Sequence, residues 1–224
     1  LDGINVDVIR STPQLHAIAR DSRYSPLLGG IETANRRFFS SGTLGMIVKD
    51  VDDDSLLALS NHHVWVDQFG QVGDEIVQPR ATAASPVIGT LLRWNEEFDC
   101  AVTALNNDRP CELGRVVGIA SQARQIAHPL LGTPVVKSGM MTGVTYGFID
   151  GVGESTIDVT IAPDTANPST LFQISLPGDS GAVWLDQFTG AAVALHCAGE
   201  NPGYPDRAWA KSFEEVAAAL RFKL

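Results

Sequence analysis

Short runs rich in Val, Ile, Leu and Thr recur every ten to fifteen residues or so along the chain, broken by Gly, Pro, Asn or Asp. They occupy 43–49, 55–60, 74–79, 86–93, 98–105, 114–120, 134–138, 143–149, 156–161, 170–175, 181–186 and 191–196. Strands of four to eight residues between turn residues build a sandwich or a barrel, and these gaps leave no room for crossover helices. Twelve segments are too many for one small barrel. The pattern therefore predicts an all-β chain of two six-stranded antiparallel β-barrels, over 41–110 and 111–211, joined near 106–113. Helical spacing shows only at the ends. Ser212-Phe213-Glu214-Glu215 has the form of a capping box, and Phe213, Val216 and Leu220 then line one face of an amphipathic C-terminal helix over 213–221. Near the start, Ile4, Val6 and Val8 alternate like an edge strand, and Ser11-Thr12-Pro13 opens a short helix carrying Leu15, Ile18 and Ala19. No period shows over 20–40, so 1–40 reads as an N-terminal extension.

A chain of 224 residues buries about 70% or more of its unfolded surface, so a true core is expected. Sixteen Lys+Arg against 26 Asp+Glu, a formal charge of −10 without any basic run, argue against nucleic acid as a partner, because phosphate binding needs clustered cations. The longest apolar stretches fall far short of the ~20 residues that cross a bilayer, so no membrane span is expected. Three cysteines at 100, 111 and 197 form no disulfide framework and no zinc pattern. Reduced thiols and the lack of a charged-then-apolar leader favour a cytoplasmic setting. The chain begins at Leu1 rather than Met, which leaves a trimmed leader and secretion open.

Three segments carry candidate chemistry. Leu176-Pro177-Gly178-Asp179-Ser180-Gly181 sits between two predicted strands, where flanking glycines allow a tight turn that exposes the hydroxyl and aims N–H groups into one small space. Taken alone, Gly-Asp-Ser-Gly is also an ordinary turn. Leu59-Ser60-Asn61-His62-His63-Val64 puts an imidazole, a base at neutral pH, at the end of an apolar strand. Phe98-Asp99-Cys100-Ala101-Val102 places a carboxylate inside a run that reads as buried strand, and such an acid needs a partner. Together they supply base, orienter and nucleophile in the order His, Asp, Ser.

With these residues the sequence resembles a chymotrypsin-like (trypsin-like) serine protease. In that family the His closes a strand before an apolar residue, the Asp opens an Asp-x-Ala-Val segment and the Ser sits in Gly-Asp-Ser-Gly. Here 36 residues separate His63 from Asp99 and 81 separate Asp99 from Ser180, which suits two barrels sharing one site. His63, directly before Val64, matches the base; His62 would face away, as successive strand residues do. Gly42-Thr43-Leu44-Gly45, Gly73-Asp74-Glu75-Ile76-Val77-Gln78-Pro79, Lys137-Ser138-Gly139 and Thr142-Gly143-Val144-Thr145-Tyr146-Gly147 are similar to a bacterial and plant branch that includes the plant narrow-leaf protein. The likeness spans about 40–212.

The resemblance implies that Ser180 attacks a peptide carbonyl, His63 takes and returns its proton, and Asp99 orients His63. The amides of Gly178 and Ser180 would hold the oxyanion, worth roughly 3–4 kcal/mol per donor. No cofactor is implied, and the five histidines contain no His-Glu-x-x-His zinc motif. Ser175 and His196 fall where relatives selective for Glu place hydrogen-bonding readers, so cleavage after acidic residues is expected; as a plain reading, His196 is a core histidine at a strand end. Gly199 stands where such relatives often carry a further hydroxyl, which weakens that expectation. Ile174 takes the place of the acid that binds Lys or Arg, so tryptic specificity is not expected. Cys197 replaces a Ser that commonly bonds the catalytic Asp, and Ala182-Val183 replaces a frequent Gly-Pro. Leu1-Asp2-Gly3 lacks the Ile-Val-Gly-Gly start whose new ammonium pairs with the acid at position 179, so another partner for Asp179 is expected. The partner class is a peptide or protein substrate, and homo-oligomerisation stays open. Two alternatives remain: a binding scaffold for a peptide or protein strand, with weak or gated hydrolysis, and an esterase-like hydrolase.

Overall fold

The computed structural model describes residues 18–38, 40–153, 158–166, 173–200 and 206–224. The edge strand expected at 4–8 and the opening of the short helix at 11–17 lie outside them; Ile18 and Ala19, expected on that helix, are not helical. The first unit contains β1 (Leu27–Gly29), β2 (Ile31–Asn35), β3 (Ser41–Leu44), β4 (Met46–Asp50), β5 (Leu56–Ser60), α1 (His62–Trp65), β6 (Glu75–Val77), β7 (Val87–Asn95), β8 (Cys100–Leu105) and β9 (Cys111–Val116). The second contains β10 (Pro134–Gly139), β11 (Gly143–Val152), β12 (Asp158–Pro163), β13 (Val183–Asp186), β14 (Ala192–Gly199) and β15 (Ala208–Ser212). After it, α2 (Phe213–Leu220) and β16 (Phe222–Lys223) complete the chain.

The second unit is a closed barrel in the order β10-β11-β12-β15-β14-β13. The first is a curled ten-stranded sheet, β1-β9-β4-β5-β8-β7-β6-β2-β3 with β16 added on β4. All-β architecture with two units is thus as the pattern predicts. The first unit has ten strands rather than six because the stretch without a period supplies β1 and β2, the 43–49 run divides into β3 and β4, and β16 joins from the C-terminal end. All five residues of β2 are buried, three of them polar, which hides the usual alternation. Two of the three bond inside: the Thr33 hydroxyl donates to Val77 O at 2.9 Å, and Asn35 Nδ2 donates to Trp65 O at 2.7 Å.

Several strands are buried on both faces, so they read as runs of apolar residues. In β4, Met46 and Val48 face the second unit while Ile47 faces the interior of the first sheet; in β13, Val183 and Leu185 face the first unit while Trp184 fills the barrel. Leu57 and Leu59 of β5 join the same central layer. Each buried Leu or Val contributes about 1.5–3 kcal/mol by leaving water, so this layer holds the two units as one body.

The C-terminal helix forms where its spacing predicts, burying Phe213, Val216 and Leu220 against that layer. Its expected capping bond is absent. Ser212 is also the last residue of β15, paired with Ala194, and this register turns its side chain inward, where no partner meets its hydroxyl among the described residues. The strand expected over 170–175 is also corrected for its described part: Gln173–Ser175 is irregular, since the Ile174 amide donates to Asp206 Oδ2 at 2.8 Å instead of to a neighbouring strand. Unforeseen β15 alternates buried Ala208 and Ala210 with Trp209 and Lys211, a period whose buried face is written in alanine, which favours strands weakly.

Candidate active site

The predicted residues fall on turns of both units, His63 and Asp99 on the first and Ser180 on the second. β5 ends at Ser60, and Asn61 turns the chain into the single helical turn α1. His63 therefore lies on a helical turn, not at a strand end, and strand alternation does not set the direction of His62, whose ring stands 6.5 Å from that of Trp94. Asp99 likewise lies in the turn before β8, with φ +43°, a left-handed conformation that Asp tolerates better than most residues. It is only partly buried: the side chains of His63 and Asp99 are 43% and 20% exposed.

This turn aims both oxygens of Asp99 at one residue. Oδ1 accepts the His63 amide at 3.0 Å and Oδ2 lies 2.7 Å from His63 Nδ1. Asn61 Nδ2 holds the Asp99 carbonyl at 2.7 Å, tying the two turns together. A carboxylate against Nδ1 keeps the proton there and leaves Nε2 with its lone pair.

The Ser180 turn is held to the first unit by contacts across the two. Its carbonyl accepts the Thr43 amide at 2.8 Å. At Gly181, with φ +97°, a β-carbon would lie 2.1 Å from Thr43 O and 2.4 Å from Ser60 Oγ, so only glycine lets the turn press this closely on β3 and β5. Gly178 has φ +106°, and its carbonyl accepts the Thr43 hydroxyl at 2.9 Å. Among the described residues, the amides of Gly178 and Ser180 have no acceptor. The Ser180 hydroxyl donates to Cys197 O at 3.3 Å, and no hydrogen bond joins it to His63 among the described residues.

Beneath the turn lies an ion pair that sequence reading did not foresee. The Lys137 ammonium and the Asp179 carboxylate meet at 3.0 Å, both side chains fully buried. Asp179 also accepts the Thr142 hydroxyl at 2.6 Å and the amides of Met141, Thr142 and Leu176 at 2.9–3.1 Å. Burial pushes the Asp179 carboxyl up, but the Lys137 charge and Thr142 outweigh it, so its pKa ends below the ordinary value. Burial lowers that of Lys137, with Asp179 opposing. Here is the partner expected for Asp179. The available signal was a lysine inside Val135-Val136-Lys137, a run otherwise fit for a core.

Ser175, His196 and Gly199 come together with Leu176, Pro177 and Ser180 around a cavity of about 330 Å³. His196 is buried, edge-on to Trp184 with ring centroids 6.1 Å apart, and its Nδ1 meets no partner among the described residues. Burial, then the nearby Lys137 charge, pushes its pKa down to about 3, so it is uncharged near neutral pH. Glu200, not singled out from sequence, stands at the mouth and accepts the Trp209 indole N–H at 3.0 Å. Cys197 Sγ donates to Trp209 O at 3.3 Å, and burial, then the Asp99 charge, pushes this thiol up to about 12.

No protein-family model and no curated protein matches the sequence. Solved structures do. A glutamic acid specific serine protease, described as using a histidine triad in substrate binding, is 16% identical with a TM-score of 0.65, covering 88% of this chain and 100% of its own. Thermobifida fusca protease A (15% identity, TM-score 0.63) and Cellulomonas bogoriensis chymotrypsin (16%, 0.61) each cover 88% of this chain and 97% of their own. These neighbours are bacterial, and none of the three bears on the plant side of the resemblance. At such identities the likeness concerns architecture: this chain has the fold of the chymotrypsin-like bacterial serine proteases.

Proposed function

We propose that the protein is a serine endopeptidase. The observation that carries this reading is the seating of His63 on both oxygens of Asp99, together with a turn, tied to the first unit through Thr43, whose Gly178 and Ser180 amides have no acceptor among the described residues. In the reaction, Ser180 Oγ attacks the scissile carbonyl and His63 Nε2 takes its proton. The two amides receive the oxyanion, and His63 then returns the proton to the leaving amine. For this the Ser180 hydroxyl leaves Cys197 O and turns to His63, a bond that commonly tightens only when substrate is bound. An organophosphonate is expected to label Ser180 at pH 8 and to leave Ser180→Ala unlabelled. Absence of labelling in the wild type would favour the other reading, a strand-binding scaffold, which the bond from Ser180 to Cys197 O supports.

The cavity suggests what stands before the cut. The Ser175 hydroxyl and an uncharged His196 offer hydrogen bonds to a side chain rich in acceptors, Glu or Asp, while the lining Glu200 carboxylate is held by the Trp209 indole. A glutamic acid specific fold neighbour supports this choice. A pocket that bonds a polar group rejects apolar competitors by leaving donors unpaired. In a peptide library, Glu or Asp is expected before the cut, with His196→Phe lowering kcat/KM for those substrates at least tenfold; equal cleavage after Leu would overturn the assignment.

A further inference from the structure

Methionine is scarce in this chain, three in 224 residues, yet two of the three are consecutive, in the turn between β10 and β11 that packs against Gly178. A β-carbon built on Gly178 would lie 2.7 Å from Met141 Cγ and 3.4 Å from Met140 Cε, so both side chains cover the α-carbon of that glycine. The third, Met46, is fully buried in the layer between the units. Met141 is 49% exposed and Met140 partly so. Neither backbone is free to retreat: the Met140 amide donates to Thr43 Oγ1 at 3.0 Å and the Met141 amide to Asp179 Oδ1 at 2.9 Å. The same Thr43 hydroxyl donates to Gly178 O, so the methionine turn and the oxyanion turn are linked through one side chain.

We propose that Met141, with Met140 beside it, is a site of reversible oxidation that weakens oxyanion binding at Gly178. The inference rests on the protease reading given above. The oxidant is a peroxide: the thioether sulfur attacks its terminal oxygen, an S–O bond forms as the O–O bond breaks, and the released oxygen takes up a proton to become water or an alcohol. Sulfur loses two electrons and the peroxide gains them. The product is a polar, chiral sulfoxide in place of a flexible apolar chain. Its oxygen is a strong acceptor beside Gly178, whose amide has no acceptor among the described residues, and its bulk presses on a glycine held at φ +106°.

The test treats the folded wild type with graded hydrogen peroxide and maps oxidation by mass spectrometry. The rate of organophosphonate labelling and the amide resonance of Gly178 are followed, each protein against its own untreated sample. Met141 is expected to oxidise well before Met46. Labelling is expected to slow by about tenfold or more, short of the ~10²–10³ for losing a donor outright, with the thermal transition retained. Methionine sulfoxide reductase should restore the rate, and Met140→Leu/Met141→Leu should remove the peroxide effect. Complete oxidation of Met141 with an unchanged labelling rate and an unmoved Gly178 resonance would overturn the proposal. If the untreated protein is not labelled at all, the protease reading fails, and the Gly178 resonance alone still decides whether oxidation acts on the turn.

Discussion

Asp99→Asn is expected to lower kcat by about 10⁴-fold with little change in KM. The carboxylate accepts at both of its oxygens, from the His63 amide and from Nδ1–H. An amide in its place presents an NH₂ to one of them. With NH₂ toward Nδ1, the ring is stabilised with its proton on Nε2, the nitrogen that must take the proton of Ser180. The arrangement of atoms survives and the base is lost. Steady-state hydrolysis of a peptide the wild type cleaves, with a thermal melt to show that the variant is folded, checks this. A variant retaining a tenth of wild-type kcat would show that His63 does not act as base through Asp99.

Lys137→Met is expected to cost about 3–5 kcal/mol, because it leaves the Asp179 carboxylate buried without its counter-ion. For a chain of this size that is a fall in Tm of roughly 10 °C. Methionine keeps most of the stem, including its place beside Trp184, over which the ammonium lies at 5.4 Å, so packing is a small part of the effect. Lys137→Met/Asp179→Asn removes both charges and should regain most of the loss, since the interior then holds no lone ion. Asp179 stands between Gly178 and Ser180 in the chain and gathers the Met141, Thr142 and Leu176 amides. Labelling of Ser180 should therefore slow in the single variant even where it is folded. Equal melting temperatures for wild type and Lys137→Met would show that the pair contributes nothing to the fold.

Much of this site is legible in the amino-acid order, because local chemistry writes it there. Gly178-Asp179-Ser180-Gly181 needs its two glycines at positive φ, and an apolar strand followed by a histidine can be recognised anywhere. The setting of His63 and Asp99 was less legible. A helical turn of four residues is too short to show a period, and a left-handed Asp looks the same in sequence as an extended one. Lys137 was hidden for a different reason. An isolated lysine in a strand is ordinarily a solvated edge residue, and its burial depends on an acid 42 positions later.

Alternation and turn chemistry act over a few residues, so the strand cadence, the C-terminal helix and the order His63, Asp99, Ser180 are written locally in the chain. The tertiary structure alone decided which strands close the barrel, how β1 and β2 join the first sheet, which cation answers Asp179 and where the Ser180 hydroxyl points. These depend on register and on partners tens of residues away, where the free energy of a buried charge or an inward-turned polar group is set by what the rest of the chain brings to it.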